Sequence, residues 1–110
     1  MATGGTLVER VRTQLARRKG VREKRMFGVG FLLNGHLVVG VWKESLVVRL
    51  GPNETAEALT RPHVRVFDIT GRAMKGWVLV EPEGLKDDDE LKGWIQRALK
   101  FVRTLPAKEE

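Results

Sequence analysis

With 110 residues, 42% of them hydrophobic and 31% charged, the chain has the size and composition of one compact domain, and neither disorder nor a membrane class fits. No run approaches the roughly 20 consecutive apolar residues of a spanning helix, and the opening MATGGTLVERVR has no apolar stretch before a cleavage site, so the chain is expected to be neither exported nor embedded. The absence of cysteine excludes a disulfide framework, a thiolate nucleophile and a Cys-based metal centre, and fits a reducing cytoplasm.

The formal charge of +6 is unevenly placed. Residues 9–25 hold Arg10, Arg12, Arg17, Arg18, Lys19, Arg22, Lys24 and Arg25 against Glu9 and Glu23, which leaves the rest of the chain electrically balanced. This segment is the best nucleic-acid candidate, because phosphate contacts need only concentrated positive charge. The contacts would come from Arg10, Arg17, Arg18, Lys19, Arg22, Lys24 and Arg25. No recognition motif accompanies them, and Phe27, Phe31, Trp42 and Trp77 lie in apolar runs that read as core rather than as stacking platforms.

In chain order, Thr6 with Glu9 three residues on reads as a capping box, and Leu7, Val8, Val11 and Leu15 follow at helical spacing. A helix is expected over 7–19, with Gly20 as its stop. From Met26 the pattern changes to short β-rich runs. Asn34-Gly35 between FLL and HLVV is the preferred pair for a two-residue type I′ hairpin turn. A regular hairpin would set Phe27 opposite Trp42, Phe31 opposite Val38, and Gly28 and Gly30 opposite Val41 and Val39, with the aromatics sharing one face. Both faces are largely apolar, so a central position with helices covering each side is expected.

A third strand is expected over 45–50, then a short helix over 54–59 capped by Asn53 and ended by Arg61-Pro62. Two further strands are expected over 64–69 and 76–80, joined by the glycine-flanked loop 70–76. Finally, Leu91, Trp94, Ile95, Ala98, Leu99, Val102 and Leu105 mark an amphipathic helix over 87–105, with an acidic first turn in which Asp87 and Glu90 form a cap-like pair. There is no internal repeat. The fold expected is α+β: a single domain over 1–110, ordered over about 6–105, with an antiparallel sheet of about five strands, an N-terminal helix, a short middle helix and a C-terminal helix.

Arg25-Met26-Phe27-Gly28-Val29-Gly30-Phe31, the hairpin after it, Gly71-Arg72-Ala73-Met74-Lys75-Gly76-Trp77 and the closing helix together resemble the N-terminal domain of the TfoX/Sxy family over roughly residues 7–104. The motif positions are Arg25, Met26, Phe27, Gly28, Gly30, Gly71 and Arg72. Val29 and Ala73 stand where glycine and proline are common in that family. The resemblance implies a non-enzymatic regulatory or interaction domain related to natural competence, with a protein partner of the transcription-factor kind. Competence regulators of the family carry a second, C-terminal helical domain, and the chain is expected to be a short stand-alone member.

No catalytic constellation, cofactor site or metal site is expected. His36 beside the hairpin turn and His63 after Pro62 read as surface residues, with neither a triad nor a helical metal pair in their spacing. Asp87 to Glu90 lack the alternating ligands of a calcium loop, and nothing in the sequence brings Glu81 and Glu83 together. Gly28-Val29-Gly30 lacks the third glycine and following helix of a phosphate loop; bare backbone there is expected to let a helix or ring approach the sheet. The candidate interaction loop is Arg72, Met74, Lys75 and Trp77. Arg49, alone in an apolar strand, could join Arg72 and Lys75 around an anion or acidic partner. Homodimerisation through a sheet edge remains open.

Overall fold

The structure is a computed structural model that describes residues 6–16, 18–25, 28–68 and 76–106. Helix α1 (Leu7–Leu15) opens with the capping box expected: the Glu9 amide donates to the Thr6 hydroxyl, and the Thr6 amide donates to the Glu9 carboxylate, both at 3.2 Å. The helix stops at Leu15, well short of residue 19. Beyond Leu15 the exposed Ala16 is the one apolar residue before Val21, and the chain turns through Gly20 (φ 85°) into strand β1 (Val21–Arg25).

Strand β1 was not expected. Its Val-Arg-Glu-Lys-Arg sequence has one apolar side chain and no alternation, yet it pairs along its length with β2 (Val29–Leu33) and makes the sheet six-stranded. Its charges suit an edge, where they oppose pairing with another chain. From β2 the chain returns through Asn34 (φ 54°) and Gly35 (φ 84°) into β3 (His36–Trp42), and a second tight turn, with Lys43 at φ 58°, leads to β4 (Ser45–Arg49). Helix α2 (Thr55–Ala58) then carries the chain past β4. Strand β5 (Val64–Val66) lands on the far edge, and β6 (Trp77–Val80) inserts between β4 and β5, giving the order β1-β2-β3-β4-β6-β5 with every pair antiparallel.

The hairpin register departs from the regular one. Leu33 pairs with His36 and Leu32 with Leu37 as a two-residue turn requires, but Phe31 then pairs with Val39, Gly30 with Gly40 and Val29 with Val41. A bulge takes up one extra residue of β3, and such an insertion reverses which face later side chains occupy. Phe31 therefore enters the main core while Trp42 joins a separate cluster on the opposite face. The expected pairing of Phe27 lies outside the described residues.

Among the described residues, helices cover one face of the sheet rather than both. Val11 and Leu15 of α1, Ala58 of α2, and Leu91, Trp94, Ile95, Ala98, Leu99 and Val102 of α3 (Asp88–Val102) pack with Phe31, Val39, Val41, Leu46, Val48, Val78 and Val80 into one core. On the opposite face Val47, Leu79 and Phe67 form a small buried cluster flanked by the half-buried Trp42 and Trp77. Strand β5 ends at Val66, short of the expected 64–69; Phe67 follows it directly and joins Leu79 on that face, and residues 69–75 lie outside the described residues.

Two expected caps do not form. Asn53 stays in the turn; Glu54 holds the N-cap position of α2 without capping it, and the Thr55 hydroxyl donates instead to the Gly51 carbonyl at 2.8 Å. Asp87 occupies the N-cap position of α3, but its side chain makes no capping hydrogen bond. A 3₁₀ turn, Pro82–Leu85, with proline at its start, links β6 to α3. Finally, Gly28 (φ 96°) admits neither a helix nor a ring: a Cβ there would collide with the Val41 carbonyl, so it is the neighbouring strand's backbone that requires glycine.

Candidate functional site

Of the expected interaction loop, only Trp77 falls among the described residues; Gly71, Arg72, Met74 and Lys75 lie outside them, as do Arg17, Met26 and Phe27. Trp77 starts β6 directly opposite Arg49, the last residue of β4. The Arg49 guanidinium carbon sits 5.4 Å from the Trp77 ring centroid and 5.7 Å from that of Phe101, which reaches it from the last turn of α3. Trp77 in turn leans on Phe67, with ring centroids 6.1 Å apart.

Burial lowers the Arg49 pKa from its ordinary value, because water is displaced from the charged form. The group nevertheless stays protonated at any physiological pH. Among the described residues no carboxylate lies within ion-pair distance of Arg49. Aromatic faces hold the cation in place, and among the described residues its in-plane N–H donors find no side-chain acceptor. Beside it, the Leu50 and Gly51 amides both donate to the Gly76 carbonyl, at 2.8 and 3.0 Å, which ties the end of β4 to the residue before β6.

The basic segment divides into two kinds of residue. Arg10 is structural: it donates to the Leu85 carbonyl at 2.7 Å and pairs with Asp88 at 3.1 Å, fastening α1 to the start of α3. Arg12 forms a two-point pair with Glu23, at 2.6 and 2.9 Å, and ties α1 to β1. That hydrogen bonding raises the Arg12 pKa and holds the Glu23 carboxyl below its ordinary value. Arg18, Lys19, Arg22, Lys24 and Arg25 are all exposed. Alternation along β1 sends Arg22 and Lys24 to one side and Arg25 to the other, so they do not line a single surface.

A third group was not foreseen. A cleft of about 460 Å³ runs between the β5 approach and α3, lined by Arg61, His63, Asp89, Glu90, Trp94 and Arg97 among others. Arg97 lies 5.0 Å over the Trp94 ring and pairs with Glu54 at 3.2 Å and Glu57 at 2.8 Å; Arg61 also pairs with Glu57, at 2.9 Å. Hydrogen bonds first from Arg61 and then from Arg97 hold Glu57 below its ordinary value. One Arg97 nitrogen, Nη1, is buried without an acceptor among the described residues. The cations of this cleft already have internal counter-ions, which sets it apart from Arg49.

The two histidines have different surroundings. The His36 Nε2 lies 2.6 Å from the Pro106 carbonyl, which ties the segment after α3 to the hairpin. His63 is exposed, with φ 66°, beside Glu81 and Glu83. Extending the β5–β6 register by one residue sets His63 opposite Glu81, and the Glu81 amide donates to the His63 carbonyl at 2.8 Å. This convergence became visible only with the strand register, since the sequence separates the residues.

These features define a small α+β domain with one helix-covered sheet face and an aromatic-lined cation at the end of its fourth strand. The family model of the TfoX N-terminal domain matches residues 13–102, most of the chain, and the chain belongs to that family. No curated protein and no solved structure gives a significant match. Among the described residues, no helix is long and apolar enough to cross a membrane.

Proposed function

We propose that the chain is a non-catalytic regulatory domain that acts by binding a protein partner, and that an acidic side chain of the partner seats on Arg49 between Trp77 and Phe101. The observation that carries this reading is a half-buried guanidinium held by two rings without a carboxylate among the described residues. An internal structural arginine would be paired, as Arg10, Arg12 and Arg97 are. Membership of the TfoX N-terminal family supports a regulatory role, with a transcription factor as the kind of partner expected.

The test is affinity recovery from the native host of tagged wild type, Arg49→Glu, and a triple variant, Arg18→Glu/Lys19→Glu/Lys24→Glu. A specific partner should be lost with Arg49→Glu and kept with the triple variant. Equal recovery of every partner by wild type and Arg49→Glu, with both folded by circular dichroism, overturns the assignment.

A second reading, nucleic-acid binding by the N-terminal segment, is favoured by Arg18, Lys19, Lys24 and Arg25, which are exposed and in no ion pair among the described residues. Labelled duplex titrated at two salt concentrations checks it. Affinity that falls steeply with salt and disappears in the triple variant would support it, and no binding at low salt would end it.

A further inference from the structure

We infer that His63, Glu81 and Glu83 form a binding site for a divalent transition-metal ion of the zinc class. One donor atom from each residue lies within 4.8 Å of the other two. A zinc ion with bonds of about 2.0–2.2 Å needs its donors about 3.4 Å apart, so the closing movement is within the reach of exposed side-chain rotamers. Imidazole with two carboxylates is a nitrogen–oxygen set that suits zinc better than magnesium or calcium, which prefer oxygen donors alone.

The backbone, rather than chance proximity on a flexible surface, brings the three together. The β5–β6 register puts His63 across from Glu81, fixed by the 2.8 Å amide-to-carbonyl bond between them. Pro82 then starts a 3₁₀ turn that swings Glu83 back toward the same point, and the Gly84 amide closes the turn on the Glu81 carbonyl at 2.9 Å. His63 itself adopts a left-handed conformation unusual for a non-glycine residue. A Cβ on Gly84 would stand 3.2 Å from the His63 Cβ, so glycine at 84 is what lets the histidine pack this closely over the turn.

Arg65 donates to Glu81 Oε2 at 3.1 Å, which leaves Glu81 Oε1 for the metal and orients the carboxylate as an outer-shell partner would. Three protein donors leave at least one position of a four-coordinate ion for water or for a ligand atom. His63 also lines the cleft that contains Trp94 and Arg97, so an ion held here would sit at that cleft's rim.

The test uses zinc alone on the full chain. Calorimetric titration of wild type should show one saturable ion per chain in the micromolar range. His63→Asn, which keeps a residue tolerant of the left-handed conformation, and Glu83→Gln should each weaken it at least about tenfold, the smallest loss typical even of outer-shell partners. The chain has only two histidines, so ¹⁵N imidazole spectra assigned with His36→Gln must show zinc perturbing His63 and not His36. Absence of saturable binding up to millimolar zinc, an unchanged affinity in His63→Asn, or perturbation of His36 instead would each overturn the site. None of these outcomes bears on the Arg49 surface.

Discussion

Val47 and Val48 are neighbours on one strand, both fully buried, yet they belong to different environments. Val48 faces the helices and is one of nineteen buried residues in a continuous core among the described residues; Val47 faces the other way and shares its cluster with only Phe67 and Leu79. The helix-covered face is closed by three helices whose apolar stripes fit the sheet. On the opposite face, the described residues group Phe67 with Val47 and Leu79, bordered by half-buried tryptophans and by Arg49 over the Trp77 ring. Among the described residues, the first side holds the larger core, and the second borders an arginine without a carboxylate partner.

Truncation at each valine tests that division most strongly. Removing two methyl groups forfeits about 1.6 kcal/mol of transfer free energy, and a cavity adds to it where the surroundings cannot collapse. Val48→Ala should cost about 3 kcal/mol and Val47→Ala about 2 kcal/mol, read from urea midpoints at constant slope. Equal losses would show the second face to be as rigid as the first and break the comparison.

Next in size is Gly51→Ala, where the Phe101 ring of α3 packs beside the end of β4. Gly51 has φ 87°, and a Cβ there would lie 2.5 Å from the Phe101 ring. Left-handed strain and ring displacement together should cost about 2 kcal/mol. In a Phe101→Leu background only the backbone share, about 1 kcal/mol, should remain. A full cost in both backgrounds would mean that the ring is not what Gly51 accommodates.

The contrast also explains what the sequence disclosed. Helix α3 was legible because its apolar residues repeat at three and four positions, and the Asn34-Gly35 turn because few other pairs adopt two positive φ angles in succession. Strand β1 was not, since Val21-Arg22-Glu23-Lys24-Arg25 owes its place to hydrogen bonding with β2 and to the Arg12–Glu23 pair, neither of which leaves a hydrophobic pattern. The bulge in β3 was equally hidden, and with it the separation of Phe31 from Trp42. Asn53 and Asp87 have good capping side chains, but Asn53 falls one residue before the N-cap of α2, Asp87 makes no capping bond to α3, and Glu54 pairs with Arg97 of α3 instead. Arg49 stood out as a charge in an apolar strand. Its stacking on Phe101 required the tertiary fold.

Arg49→Met offers a smaller and more discriminating effect. Loss of two cation–ring contacts is offset by removal of a desolvated charge, so the stability change should stay within about 1 kcal/mol. A loss well above that would make Arg49 a structural residue, and the proposed partner site would lose its basis.

The smallest effect lies at the rim of the helix-covered face, where Glu23 receives Arg12 and Glu57 receives Arg61 and Arg97. Both carboxyls titrate below their ordinary value of 4.5 in the folded chain, so each binds protons more weakly folded than unfolded. Their contribution is therefore fully present above that value and disappears as pH falls through the lower folded value. The urea midpoint of Glu23→Gln/Glu57→Gln should lie slightly below wild type at about pH 6 and converge on it toward about pH 3. Both groups are exposed, so about 0.5 M salt should shrink the difference at pH 6 as well. A difference that persists at low pH would mean that glutamine disturbs α1–β1 or α2–α3 packing by its shape, and the rim would then belong to the rigid side of the molecule rather than marking its boundary.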